Sequence, residues 1–195
     1  MKIMNQRRTI GSWHGLGFTL AALGAGCATD RAVDEDLDDT SSAITIDVNA
    51  AYTIAGVESN KCVGVVDAST ATHARLDIET CNGASSQRFH PEAMGGGFFR
   101  LRNERSGLCA DVLGDGLTDG TLVIQFTCGT GQNQQWSFTD VAGGAERITV
   151  RHSGKVLDVT GRATADGTLL EQWTSNNQTN QRFTLTTAVA PIAPN

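Results

Sequence analysis

Carboxylate, aromatic and amide side chains recur at one fixed interval in the second half of this 195-residue sequence. Three kinds of side chain each occur twice, 47 residues apart: Asp111 and Asp158, Phe126 and Trp173, and Asn133 and Asn180. A carboxylate accepts two O–H donors, an amide serves a further hydroxyl, and a flat ring packs against C–H groups. A neutral sugar offers matching groups, because it has pairs of hydroxyls along one edge and C–H groups on one face. These residue types therefore suit noncovalent sugar binding.

A glutamine two residues before an aromatic ring marks the same interval in all three units of the sequence. The triplets are Gln87-Arg88-Phe89, Gln134-Gln135-Trp136 and Gln181-Arg182-Phe183, each 47 residues from the next. A period of 20 to 50 residues indicates a repeat in which one unit cannot bury its apolar face alone. We predict three structural units, with the aromatic rings buried around a shared axis and the glutamines satisfying backbone groups in adjacent loops.

Short segments rich in β-branched and aromatic residues fill each unit. Examples are the stretches 121–126, 136–138 and 147–151, and Gly, Asn, Asp and Ser separate them. Three units of short strands cannot stack as an open array without exposed edges, so closure about a pseudo-threefold axis pairs most strands. The pattern predicts an all-β fold with pseudo-threefold symmetry.

The triplets, the Leu-Asp-Val stretch at 157–159 and the 47-residue spacing resemble the ricin-type β-trefoil lectins. The resemblance covers roughly residues 50–187. It implies one β-trefoil domain of three 47-residue repeats, which we place at residues 45–189, and it implies carbohydrate binding.

The same resemblance assigns the sugar-binding positions. In the ricin-type pattern they are the Asp of Leu-Asp-Val, an aromatic two residues before the second cysteine, and the Asn and Gln that open the triplet. The assigned residues are Asp111, Phe126, Asn133 and Gln134 in the second unit and Asp158, Trp173, Asn180 and Gln181 in the third. The first unit has Gly64, Glu79 and Ser86 at the three recognition positions, so we predict that it is silent.

Each assigned residue also has a purely structural interpretation. An Asp beside a Val near a turn can serve only to stabilise that turn, and Phe126 or Trp173 can be an ordinary core ring. However, the first unit has lost the carboxylate, the ring and the amide together, although it keeps the triplet Gln87-Arg88-Phe89. Structural roles would be expected to persist in all three units, so the joint loss favours binding.

Cysteine spacing indicates an exported protein with two disulfides. With Cys27 set aside, four cysteines allow three pairings, and the repeat register selects the pairs within a unit. These pairs are Cys62 with Cys81 and Cys109 with Cys128. The third unit lacks both cysteines together, as expected if the two columns face each other. A zinc site is not predicted, because the sequence has no Cys-x-x-Cys motif and no nearby His, and we predict neither a metal nor a cofactor.

The N-terminal segment has the features of a secretory signal peptide, which we place at residues 1–27. Lys2, Arg7 and Arg8 precede an uncharged run at 15–26 that is too short to span a bilayer. The stretch ending at Cys27 resembles a bacterial lipoprotein box with its Leu displaced by one position, so lipidation of Cys27 and plain cleavage are both open. We expect a secreted or cell-envelope bacterial protein that contacts the membrane only through such an anchor.

The residues flanking the domain are predicted to stay outside its fold. Residues 28–44 are acidic and lack apolar periodicity, which is typical of a solvated, disordered linker, and residues 190–195 form a short tail. The net charge of −6 becomes more negative without the leader, which holds three cations and no acids. Such a protein repels phosphate backbones, so nucleic acid is excluded as a partner.

Catalysis is not predicted. Glycoside hydrolysis needs two carboxyls roughly 5 to 9.5 Å apart, whereas Asp111 and Asp158 lie in different units. No Gly-x-Ser-x-Gly or His-Glu-x-x-His motif occurs. The sequence predicts a monomeric carbohydrate-binding module for galactose-type or xylan-type glycans, as the resemblance implies. The alternatives are an inhibitor-like trefoil that binds a protein through its loops, and a structural cell-surface domain.

Overall fold

A computed structural model of the chain describes residues 44–188, which contain twelve β-strands and six single turns of 3₁₀ helix. The predicted signal peptide, Cys27, the linker up to residue 43 and the tail lie outside the described residues. The strands are β1 (Tyr52–Gly56), β2 (Cys62–Val65), β3 (Leu76–Glu79), β4 (Phe89–Gly95), β5 (Phe98–Asn103), β6 (Cys109–Val112), β7 (Thr121–Phe126), β8 (Trp136–Val141), β9 (Ala145–Val150), β10 (Val156–Val159), β11 (Thr168–Trp173) and β12 (Phe183–Thr187). The predicted all-β class is confirmed. Within this range, no helix is long and apolar enough to cross a membrane.

Six strands close into a barrel. β1 pairs with β12, β4 with β5 and β8 with β9, all antiparallel, and β1–β4, β5–β8 and β9–β12 contacts join these pairs into a ring. The joining contacts are Tyr52↔Phe89, Phe99↔Trp136 and Glu146↔Phe183. Closure pairs the barrel strands with one another and so removes the exposed edges that an open array of three units would have.

The other six strands form three hairpins that meet one another beside the barrel. These cap hairpins are β2–β3, β6–β7 and β10–β11. Each joins the barrel through one residue pair: Ala55↔Cys62, Arg102↔Cys109 and Thr149↔Val156. The hairpins also contact each other, because β11 pairs with both β3 and β7. The positions that the sequence assigned to sugar binding lie on these cap hairpins and on the 3₁₀ turns that follow them.

Aromatic rings from the three triplets lie in the core. Phe89, Trp136 and Phe183 open β4, β8 and β12 and are almost completely buried, as predicted. Burial of each ring contributes about 2 to 3 kcal/mol by area. The Trp136 indole N–H also donates to the Ala110 carbonyl at 3.2 Å, which ties the barrel to the second cap hairpin.

Two disulfides join the cap hairpins to the loops that follow them. Cys62 is bonded to Cys81 and Cys109 to Cys128, each with Cα atoms 5.0 Å apart, so the predicted pairing is confirmed. Each bond links residues 19 positions apart and stabilises the fold by about 3 kcal/mol on the chain-entropy estimate. In the third hairpin, Val156 takes the place of the first cysteine and is buried in the core instead.

Candidate functional site

The third cap hairpin and the turn after it bring together the four residues predicted for the third unit. Strand β10 carries Asp158, β11 ends at Trp173, and the 3₁₀ turn Thr179–Gln181 carries the two amides. Asp158, Trp173 and Asn180 line a surface depression of about 410 Å³. We call this depression the third site.

Hydrogen bonds from the turn hold the Asp158 carboxylate in place. Gln181 donates its amide N–H to Asp158 Oδ2 at 2.7 Å, and Asn180 donates to Oδ1 at 2.9 Å. The Gln181 amide also donates to the Thr174 carbonyl and accepts from the Asn176 backbone N–H. Because its amide is engaged on both sides within the protein, Gln181 orients Asp158 from behind and does not line the depression.

Burial controls the ionisation of Asp158. The residue is only 3% exposed, and this burial raises the pKa of its carboxyl, while the hydrogen bonds from Gln181 and Asn180 partly lower it. A carboxylate of this kind still has acceptor positions free, because each oxygen receives one amide bond. Asp158 can therefore accept hydroxyl donors from a ligand in the depression.

Trp173 supplies a flat ring at the edge of the third site. It is 39% exposed, although the three residues before it in β11 are buried. Gly120, from the loop before β7, lies against the ring, since a Cβ added there would be 3.7 Å from Trp173 Cζ3. An exposed tryptophan beside a buried carboxylate can pack on the C–H face of a sugar while the carboxylate binds hydroxyls.

The second cap hairpin repeats this arrangement with different neighbours, and we call it the second site. Gln134 donates to Asp111 Oδ2 at 2.7 Å and to the Thr127 carbonyl at 3.0 Å. Asn133 donates to the Val112 carbonyl at 3.3 Å. Burial raises the pKa of Asp111, and the Gln134 bond partly offsets this. Phe126 is 37% exposed and takes the ring position.

His73, a residue of the first unit, lies against Phe126 of the second. Its backbone N–H donates to the Gln125 carbonyl at 2.8 Å, and its ring packs edge-on against Phe126 with centroids 4.8 Å apart. The loop of the first hairpin therefore borders the second site. Register along the chain locates a residue within its unit but does not show which neighbouring hairpin it contacts.

The first cap hairpin lacks the predicted side chains but holds a carboxylate that sequence reasoning missed. Gln87 keeps its bonds to the Thr80 carbonyl and the Asn82 N–H, but Gly64 offers it no carboxylate. Asp77 lies opposite Gly64 on β3 and is buried, and its Oδ1 has no hydrogen-bond partner among the described residues. Burial, with nearby Glu79 and other acids, raises the pKa of Asp77 to about 6.

Two further charged groups at the third site were not predicted. Glu171 lies directly opposite Asp158 on β11 and lines the depression. Arg162 also lines it and forms an ion pair with Glu58, whose Oε1 is 2.8 Å from the guanidinium. Glu58 comes from the turn between β1 and β2, so a residue of the first unit borders the third site. An antiparallel hairpin in which Val156 lies opposite Trp173 must also place Asp158 opposite Glu171. Counting residues along the two strands is the signal that could have found Glu171.

Comparison with protein families identifies one match. The family model described as "Ricin-type beta-trefoil lectin domain" matches residues 50–183. A comparison with curated proteins returned no match. In the described part of the chain, no group of three or more His, Cys, Asp or Glu side chains is placed to hold a metal ion.

Several solved structures have the same fold. The designed threefold-symmetric protein ThreeFoil is 32% identical with a TM-score of 0.69, over 71% of this chain and 98% of its own. An exo-β-1,3-galactanase from Clostridium thermocellum is 35% identical with a TM-score of 0.70 over 73% of this chain, which spans only 31% of that enzyme. A ricin B-like lectin from Macrolepiota procera, solved with lactose, is 19% identical with a TM-score of 0.63, over 73% of this chain and 98% of the lectin.

Proposed function

The chain belongs to the ricin-type β-trefoil lectin domain family, and on that basis we propose that it is a carbohydrate-binding module without catalytic activity. In this proposal its units are copies of one 47-residue repeat about a pseudo-threefold axis. Two of them bind glycans and the first is silent. The proposed contacts are Asp111, Phe126 and Asn133 in the second site and Asp158, Trp173 and Asn180 in the third, with Gln134 and Gln181 orienting the carboxylates.

The observation that carries the proposal is the combination of groups at the third site. An exposed ring, a buried carboxylate fixed by two amides and an open depression occur together at Trp173 and Asp158. A core ring would be buried, and a carboxylate that only stabilises a turn would not need to line a depression. The arrangement offers the acceptor, the amide and the apolar face that a sugar requires.

The ligand class and location are also part of this proposal. A galactose-type ligand is supported by two neighbours, one solved with lactose and one an exo-β-1,3-galactanase, and xylan-type glycans are the other class that we consider. The predicted leader at 1–27 supports a secreted or cell-envelope bacterial protein, with Cys27 as the lipidation site if it is anchored. We propose a monomer that binds glycans and not nucleic acid.

Exposed leucines favour protein binding as the second candidate function. Leu113 and Leu117 lie in the segment after β6, and they are 41% and 63% exposed. Exposed apolar side chains of this kind are ones that a protein partner could bind. Free sugar would compete with a glycan for the protein but would leave such a partner bound.

Binding to a glycan array tests the proposed function. The wild-type protein is compared with Asp158→Asn and with the double variant Asp111→Asn/Asp158→Asn, each checked for intact disulfides and an unchanged thermal unfolding profile. We expect wild type to bind and the folded double variant to lose binding by at least about tenfold, since each carboxylate is the central acceptor of its site. A folded double variant that binds as well as wild type would refute these sites.

A further inference from the structure

The third site differs from the second in the residue that lies opposite its aspartate on the neighbouring strand. Strands β10 and β11 place Glu171 directly opposite Asp158, whereas β6 and β7 place Ile124 opposite Asp111. Directly opposed residues in an antiparallel pair have Cβ atoms about 4.5 to 5.5 Å apart, and two like charges there repel each other. The third site therefore contains a close pair of acids where the second site contains one acid and an apolar side chain.

Both acids of this pair are buried and line the same depression. Glu171 is 7% exposed, and neither it nor Asp158 forms a salt bridge with another residue of the 44–188 range. Burial raises the pKa of the Glu171 carboxyl, and the nearby Asp158 charge raises it further. Two buried acids without a cation lower the stability of the folded protein when both are ionised. Desolvation disfavours each charge, and the two negative charges also repel each other.

The cations near the third site are already engaged by other acids. Among the described residues that line the depression, Arg162 is the cation, and it is paired with Glu58. Glu58 also accepts a hydrogen bond from Thr179 at 2.9 Å. Lys155 is paired with Asp119 at 2.6 Å, and Asp119 also holds Thr174 beside the ring. None of these pairs leaves a positive charge for Asp158 or Glu171.

The amide at this site adds another unmatched acceptor. Asn180 donates through Nδ2 to Asp158 and to the Val159 carbonyl, and these two bonds fix the orientation of the amide. Its Oδ1 is buried and has no partner among the described residues, although Asn180 lines the depression. The site thus presents one amide oxygen that lacks a donor, beside two carboxylates that have no cation partner and whose oxygens can each accept a further hydrogen bond. An ammonium group has three donors and no acceptor, which makes it the complementary group.

We propose that the third site prefers a sugar that carries a protonated amino group, whereas the second site shows no such preference. The ammonium would lie between Asp158 and Glu171 and donate to both carboxylates, while the sugar ring packs against Trp173. This inference rests on the proposed carbohydrate-binding function and specifies the ligand class of one of its two sites. Glu171 is the residue that determines the preference.

The test measures each site alone in the full chain. Asp111→Asn removes the second site so that the third reports, and Asp158→Asn does the reverse. Calorimetric titrations use glucosamine and galactosamine, their neutral parents glucose and galactose, and the N-acetyl derivatives, at about pH 6.5, where an amine is protonated. In the Asp111→Asn protein we expect at least one amino sugar to bind about fivefold to tenfold more tightly than its neutral parent and its N-acetyl form.

A second variant assigns that preference to Glu171. Glu171→Gln keeps the shape of the side chain and removes its charge, so the ratio of amino to neutral affinity should fall to about one or two, with binding of the neutral sugar retained. In the Asp158→Asn protein the ratio should be about one throughout. Equal affinity for an amino sugar and its neutral parent at a third site that still binds would overturn this inference alone. Absence of binding by every sugar, in wild type and both single-site proteins, would overturn the proposed function as well.

Discussion

Buried carboxylates are concentrated on the three cap hairpins. Asp77, Asp111, Asp158 and Glu171 are each almost completely buried, and burial is the main reason that the pKa of every one of them is raised. A charged group without a cation partner in such a place lowers the stability of the folded chain. Asp111 and Asp158 are compensated in part by glutamine amides, whereas Asp77 has no such amide.

Replacing Asp77 with Asn is therefore expected to stabilise the protein at neutral pH. The folded-state pKa of about 6 exceeds the ordinary pKa of an Asp side chain, about 3.9, so the folded form holds the proton more tightly than the unfolded chain between these pH values. The free energy of unfolding of wild type then falls as pH rises through this window. Asp77→Asn lacks this loss, and we expect it to be more stable than wild type by about 1 to 3 kcal/mol at pH 7.

The measurement is denaturant unfolding of both proteins at pH 4 and pH 7. The two proteins should differ little at pH 4, where Asp77 is largely protonated in the folded state. If the free energies of unfolding of the two proteins changed in parallel from pH 4 to pH 7, Asp77 would not be the group that lowers the stability of wild type as pH rises.

At the scale of strands and hairpins, the features that repeat along the chain were the predictable ones. The triplet aromatics had to be buried because each sits at the same position of a unit that needs a core, and the cysteine pairs followed from the same register. The predicted bonds of Gln181 to backbone groups, the Thr174 carbonyl and the Asn176 N–H, are also contacts within one unit. Such contacts recur at the repeat interval, which is why sequence spacing alone indicates them.

Contacts between different units could not be predicted in this way. Glu58 reaches Arg162 of the third unit, and His73 of the first unit packs on Phe126 of the second. These contacts depend on how the hairpins are arranged around the barrel, which spacing along the chain does not specify. Glu171 was missed for another reason, since the ricin-type pattern has no role for that position, although hairpin pairing places it opposite Asp158.

Removing the second disulfide is expected to weaken both the fold and the second site. The loop at Cys128 supplies the Thr127 carbonyl and the Gly129 N–H that hold Gln134, and Gln134 in turn holds Asp111. Changing Cys109 and Cys128 together to Ser should lower the free energy of unfolding by about 2 to 4 kcal/mol. It should also reduce sugar affinity of the second site, measured in the Asp158→Asn background.

The matched control changes Cys62 and Cys81 to Ser. This first disulfide joins residues of the same sequence separation, so a similar loss of stability is expected. The first hairpin lacks the proposed sugar contacts, so the affinity of the second site should stay within about twofold of its starting value. Equal loss of second-site affinity in both double variants would indicate a general effect of destabilisation.

At the scale of the whole molecule, each unit borders the cap loop of the one before it. Arg105 of the second unit donates to the Ala68 carbonyl at 2.8 Å, and His152 of the third contacts the Gly116 carbonyl at 2.9 Å. Glu58 of the first unit completes the circle through Arg162. These contacts connect the turns of the barrel to the loops that flank the sites, so both proposed sites belong to one closed structure.

Two sites in one closed structure should act together on a polymeric glycan. A shallow site for a single sugar binds weakly, about 4 kcal/mol for a millimolar affinity, and a second contact on the same polymer is then intramolecular. We expect Asp111→Asn and Asp158→Asn each to reduce affinity for an immobilised polymer by about 10- to 100-fold. For a monomeric sugar that both sites accept, each variant should lose only one of two binding equivalents.

The polymer should carry amino groups on some of its sugars, so that both sites find units they accept. Surface plasmon resonance on polymer and calorimetry on monosaccharide compare the two effects directly. Equal proportional losses on polymer and monosaccharide would mean that the sites do not engage one polymer chain together.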